Sequence, residues 1–164
     1  MSDERQAIPI RPIGIIRSPH RTPAGTPIQP AYAEEVEGEV IVDADLEPAL
    51  ADIEGFERIW LVYCFDRAGP FKPRVVPYRD TREHGLFATR SPCRPNAIGM
   101  SVVRLVGREG NVLRVRGVDI LDGTPLLDIK PYVPEFDAHP LSKAGWLDDG
   151  REGRVVADDR FHQG

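Results

Sequence analysis

Ser101-Val102-Val103-Arg104-Leu105-Val106 and Asn111-Val112-Leu113-Arg114-Val115-Arg116-Gly117-Val118 are two β-branched runs separated by Gly107-Arg108-Glu109-Gly110. A four-residue connection with glycine at both ends predicts a β-hairpin. Outward from it, Ile59 to Phe65 (IWLVYCF) is continuously apolar, which predicts a strand buried on both faces. Gly38 to Val42 (GEVIV) predicts another short strand. Ile8 to Ile16 is rich in isoleucine but broken by Pro9 and Pro12, a pattern that suits an edge strand or a bulge. One helix is predicted from Asp45 to Ile53: Leu46, Leu50 and Ile53 recur at helical spacing, with Asp45 as cap and Gly55 as stop. Short strands, one helix and long ordered loops imply a mainly β domain. It is expected to close, or nearly close, into a barrel, since a small open sheet leaves edges exposed.

With 164 residues, 41% of them hydrophobic, the chain has enough material for one core. Its 16 prolines are about twice the usual share of roughly 5%, which disfavours long helices. No run of about 18 apolar residues exists, and the opening MSDERQAIPI carries charges where a signal peptide has an apolar stretch. A soluble, cytoplasmic protein is expected. Cys64 and Cys93 fit no metal-ligand spacing, so reduced thiols are expected, with Cys93 the more reactive. The net charge of −5 hides a division. Glu34 to Glu54 holds nine acidic residues and no Lys or Arg, whereas Asp66 to Arg104 holds eight Lys/Arg against three acids. The second stretch can form a local anion-binding surface or an ordinary mixed one.

No glycine fingerprint of a Rossmann domain and no phosphate loop occurs. The four histidines are scattered, so no metal site is expected. Two tracts carry candidate chemistry. In Gly85 to Gly99 (GLFATRSPCRPNAIG), Pro92 and Pro95 stiffen the backbone around Arg90 and Arg94. Such fixed guanidinium forks suit a carboxylate or phosphate, or else brace loop carbonyls. In Val118 to Tyr132 (VDILDGTPLLDIKPY), Asp119, Asp122 and Asp128 surround a Gly-Thr-Pro turn. These carboxylates and Lys130 can bind a cation, bond ribose hydroxyls, act as a general base, or merely form a capped turn with an Asp/Lys pair.

Together with Ile13-Gly14-Ile15-Ile16-Arg17-Ser18-Pro19, Gly25-Thr26-Pro27-Ile28-Gln29-Pro30 and Gly55-Phe56, these tracts closely resemble the TrmO (YaeB/TsaA-like) family, from about residue 10 to 138. The resemblance implies a homodimeric β-barrel methyltransferase that uses S-adenosylmethionine (SAM) without a Rossmann domain. It implies methylation of N6 in threonylcarbamoyladenosine at tRNA position 37, next to the anticodon. It also implies a barrel domain over residues 1–140, with 141–164 an extension that is peripheral or at the dimer interface. The SAM pocket would draw on Gln29, Pro30, Asp66, Arg67, Arg90, Met100 and the run Leu121, Asp122, Gly123, Thr124. In that setting Arg90 would meet the methionine carboxylate, Asp122 or Asp128 would serve as base, and Arg94 or Lys130 would meet a threonyl carboxylate. Two departures stand out: Asp66 occupies a position where family members commonly carry histidine, and Asn96-Ala97-Ile98-Gly99 replaces their usual NPIG. Many bacterial relatives have a further C-terminal domain, so the grip on tRNA is expected from the barrel and the dimer. The rival expectation is a non-catalytic dimeric module that binds SAM or a nucleoside, or a methyltransferase with another substrate.

Overall fold

The computed structural model describes residues 5–149 and 155–162. Six antiparallel strands close into a barrel in the order β1, β2, β7, β6, β3, β8. They are β1 (Gly14–Arg17), β2 (Glu37–Val42), β3 (Arg58–Cys64), β6 (Ile98–Glu109), β7 (Val112–Arg116) and β8 (Thr124–Pro131). The two-residue strands β4 (Arg74–Val75) and β5 (His84–Gly85) pair separately. Closure occurs where β1 pairs with β8, Gly14 opposite Leu126 and Ile16 opposite Thr124.

Alternation fills the interior. Ile59, Leu61 and Tyr63 of β3 point inward to meet Ile16, Val40, Val103, Leu113, Val115 and Leu126, all of them buried. The expectation that Ile59 to Phe65 is buried on both faces is therefore corrected. Trp60, Val62 and Cys64 lie on the outer, partly buried face, so the run has one face in the core and one outside it.

The Ile8 to Ile16 edge strand is corrected too. Strand β1 starts at Gly14, after both prolines, and lies between β2 and β8 with partners on both sides. Proline's missing N–H would break either ladder, so the pairing begins beyond it. The hairpin exists, but its turn is tighter than the four residues expected. Strand β6 runs to Glu109, leaving Gly110 and Asn111 at the turn, and Gly110 has φ +61°. Gly107 instead lies within β6 at a bulge beside Arg114.

Asp45 to Ile53 is not an α-helix. A 3₁₀ helix spans Ala44–Leu50, and a second spans Ile53–Gly55 after the left-handed Asp52. Pro48 inside the segment has no N–H for an α ladder, and the turn closes by Ala51 donating to the Pro48 carbonyl. Asp45 caps nothing, the capping position being Asp43 without a side-chain bond. The apolar spacing still works, since Leu50 is buried and Leu46 and Ile53 pack against the core.

A second bulge matters for the site. Val62 pairs with Asp128 and Tyr63 with Leu126, so Leu127 is extra. Inward parity shifts from Leu126 to Ile129, and Asp128 turns outward. Leu113→Ala should lower unfolding stability by about 2–5 kcal/mol in urea titration, because the barrel interior cannot collapse around the cavity. Exposed Val106→Ala should change it by less than about 0.5 kcal/mol.

Candidate active site

At one end of the barrel a cleft of about 730 Å³ opens. Its position follows from register: Cys64 at the end of β3 pairs with Ile98 at the start of β6, and β8 begins at Thr124, beside Tyr63's partner Leu126. The segments that leave or enter these strands therefore converge. They include Phe65 to Ala68, the loop from Phe87 to Arg94, and Asp119 to Leu121.

The loop is held by its own small core of Val75, Leu86, Cys93 and Phe161. Cys93 is fully buried and its thiol donates to the Phe161 carbonyl at 3.1 Å. Burial pushes that thiol up from its ordinary range, so Cys93 is a packing residue and not the reactive one expected. The backbone around residues 155–162 runs along two connecting loops, Gly25 donating to the Ala157 carbonyl, Ile28 to that of Val155, and Gly69 to that of Phe161. Phe161 and His162 thereby line the cleft. A second anchor is Asp80, whose buried carboxylate accepts from His84 Nε2 at 2.8 Å and from the Thr81 and Arg82 amides. The hydrogen bond from His84, joined by those amides, holds the carboxyl well below its ordinary range. His84 also stacks on Trp146, centroids 4.7 Å apart, and Trp146 lines the cleft.

Of the residues expected at the site, Gln29, Asp66, Arg67, Arg90, Arg94, Met100, Leu121 and Thr124 line this one cleft. Segments far apart in the chain are tied directly: Arg90 Nη1 donates to Gln29 Oε1 at 2.6 Å. Arg67 reaches across to the turn, donating to the Asp122 carbonyl at 2.9 Å and to Thr124 Oγ1 at 3.1 Å. Its Nε lies 3.4 Å from Asp66. Arg94 donates to the carbonyls of Thr89 and Ser91 and lies over the Phe87 ring, so it braces the loop from within the cleft wall.

Pro30, Asp122, Gly123 and Asp128 do not line the cleft. Pro30 opens a 3₁₀ turn behind Gln29. Gly123 supplies the positive φ of +81° on which the turn depends, and its amide donates to the Ile16 carbonyl. Asp122 points to the flank, accepting from the Ser18 amide at 3.1 Å and lying 3.8 Å from Arg17 and 3.5 Å from Arg21. Asp128, turned outward by the bulge, pairs with Lys130 at 3.0 Å.

The carboxylate that does face the cleft from this tract is Asp119. It accepts from Ser101 Oγ at 2.7 Å, and Ser101 Oγ shares a 2.9 Å hydrogen bond with buried Tyr63. Burial drives the Asp119 carboxyl up to about 7, against the opposing pull of the Ser101 hydrogen bond and the Arg90 charge. Sequence reasoning named the tract but favoured its other acids. The available signal was the apolar flank on both sides of Asp119, Val118 and Ile120, both buried.

With this geometry, the comparisons with known proteins fall into place. A family profile described as the tRNA-methyltransferase O N-terminal domain matches residues 15–138. The chain belongs to the tRNA-methyltransferase O family. A probable S-adenosyl-L-methionine-binding protein of Pyrococcus abyssi is 58% identical over 139 residues, covering 84% of this chain and 75% of that protein. The tRNA (adenine(37)-N6)-methyltransferase of Escherichia coli is 35% identical over 144 residues, covering 82% of this chain and 61% of that one. A crystal structure of TrmO from Pseudomonas aeruginosa superposes with a TM-score of 0.76 at 38% identity, covering 90% of this chain and 64% of that one. The chain thus spans less than two thirds of both of these bacterial relatives. The matched segment of the family contains the barrel and most of the cleft wall, while Trp146, Leu147, Ala157, Phe161 and His162 lie beyond it.

Asp80→Asn should loosen the loop and lower the melting temperature at pH 7. A carboxyl with a depressed folded-state pKa stabilises above its ordinary value near 3.9 and loses that contribution as pH falls. The deficit of the variant should therefore shrink in thermal melts below about pH 4; an unchanged deficit down to pH 2 contradicts the anchor.

Proposed function

We propose that the cleft binds SAM and that the protein methylates N6 of an adenosine in tRNA, specifically the threonylcarbamoyladenosine at position 37. The observation that carries this reading is the convergence of the two family tracts on one cleft, joined by Arg90 to Gln29 and by Arg67 to the Leu121–Thr124 turn. Relatives that cover most of this chain bear the names of SAM-binding proteins and of a tRNA adenine N6-methyltransferase.

The lining suits such a ligand. Its volume lies in the range of roughly 300–1,000 Å³ that small-molecule sites occupy. Half-exposed Met100 and the ring of Phe65 offer an apolar wall. Gly99 keeps that wall open, because a Cβ there would collide with the Tyr63 ring. Arg90, oriented by Gln29, offers a guanidinium to the methionine carboxylate, and Asp66 brings negative charge to a cavity that would hold a sulfonium. When bound, SAM supplies an activated methyl group. The chain's own part is to fix the nucleophile beside that methyl, to exclude water and to take up a proton. Arg67, Arg79 and Arg94 line the cleft, where a threonyl carboxylate would meet a guanidinium, whereas Lys130 does not line it. Lys130 is engaged with Asp128 on the outer face.

The same reading makes the protein cytoplasmic, where tRNA is found, and a homodimer. Exposed Phe87, Ile98 and Met100 at the cleft give a partner subunit apolar surface to cover. No helix among the described residues is long and apolar enough to cross a membrane.

Arg90→Ala should weaken SAM binding at least tenfold in calorimetry, about 1.4 kcal/mol. Unchanged affinity contradicts the assignment of that residue. The activity itself is tested by incubating the protein with isotopically labelled SAM and tRNA that lacks the modification, followed by nucleoside mass spectrometry. The expected product is N6-methylated threonylcarbamoyladenosine. Binding of SAM without transfer to tRNA would instead support a binding module, as the name of the Pyrococcus relative has it. Affinity for tRNA should fall steeply as salt rises from 50 to 200 mM, because arginine–phosphate contacts release counterions. A flat response contradicts tRNA as the partner.

A further inference from the structure

Methyl transfer to a carbamoylated adenine nitrogen releases a proton, and the cleft must hold something to receive it. Among the described residues that line the cleft, the carboxylates are Asp66 and Asp119. Asp66 is already paired with the guanidinium of Arg67 at 3.4 Å. Asp119 differs. It stands at the cleft end of a hydrogen-bonded chain that runs through the barrel interior, from Tyr63 on β3 to Ser101 on β6 to its own Oδ1. Tyr63 and Ser101 are both buried among side chains that are otherwise apolar. Polar groups in such an interior cost stability unless they are fully paired, and this chain pairs them in one direction, toward the carboxylate. The ionisable groups that face Asp119 are Tyr63 from β3 and Arg90 from the loop, beside the hydroxyl of Ser101 from β6.

We propose that Asp119 is the proton acceptor of the reaction and that Ser101, itself held by Tyr63, is the positioning residue that tunes it. The proposal rests on the reading of the protein as an N-methyltransferase. The substrate nitrogen forms its bond to the methyl carbon while the carbon–sulfur bond breaks with its electrons left on sulfur. The nitrogen's proton passes to an Asp119 oxygen, which later returns it to solvent. A carboxylate with an affinity for protons near that of the surroundings is the most effective general base. Burial brings Asp119 to that condition, and the Ser101 hydrogen bond keeps enough of the charged form at neutral pH.

Three measurements on the full chain test it. Asp119→Asn, which preserves shape, should keep SAM affinity within about threefold in calorimetry while single-turnover methyl transfer falls about 10²- to 10⁴-fold. Carboxyl ¹³C titration of the ligand-free protein should give Asp119 a midpoint of about 7. Ser101→Ala removes a bond to the charged form, so that midpoint should move to higher pH, and the rising limb of the transfer rate against pH should move with it. The proposal is overturned by an Asp119→Asn variant that transfers methyl at the wild-type rate, or by one that loses SAM binding as fully as it loses rate. It is equally overturned if Ser101→Ala shifts neither the titration nor the limb. Wild-type protein that binds SAM and transfers nothing overturns the methyltransferase reading as well, so the two failures are distinct.

Discussion

Three residue pairs close the barrel, and the cleft depends on them. Strand β1 meets β8 through Gly14, Ile15 and Ile16 opposite Leu126, Pro125 and Thr124. At Gly14 the backbones approach so closely that a Cβ would strike the Ile41 carbonyl on the other neighbouring strand. The seam continues directly into the functional turn: Gly123 donates to the Ile16 carbonyl at 2.8 Å and Asp122 to the His20 carbonyl at 2.7 Å. Closure and site geometry are thus one constraint. Slipping the seam by one residue would invert the faces of β8 and carry the turn away from Arg67.

Given that frame, the division of labour among the charged residues follows from where each backbone segment leaves the barrel. Arg67 follows β3 and reaches the turn, Arg90 leaves the stiff loop and reaches Gln29, and Arg94 stays within the loop. The acids of the second tract separate in the same way. Asp119 precedes the turn and faces inward, Asp122 sits on its flank among Arg17 and Arg21, and Asp128 lies beyond a bulge on the outer wall. Three carboxylates within ten residues therefore occupy three environments.

That separation marks what the sequence could and could not disclose. The hairpin, the strands around Leu61 and Val40, and the two tracts were legible because alternation, glycine turns and proline constraints act over a few residues. The closed barrel was legible as a way of hiding edges. The helix expected over Asp45 to Ile53 forms as 3₁₀ turns, since Pro48 blocks an α ladder while the apolar spacing is still met. The outward turn of Asp128 was hidden, because a one-residue bulge reverses inside and outside without altering composition. Asp119 was underrated for a related reason: its hydrogen-bond partner Ser101 and that residue's own partner Tyr63 lie 18 and 56 positions away, on β6 and β3.

The proposed SAM site has two walls, the proline-stiffened loop on one side and Leu121 with Thr124 of the turn on the other. A crystal structure of the protein with S-adenosylhomocysteine tests it most directly. The ligand should lie between those walls, its carboxylate at Arg90 and its sulfur near Met100 and Asp119. A ligand bound on another face of the barrel, or a cleft that stays empty under saturating ligand, would contradict this assignment.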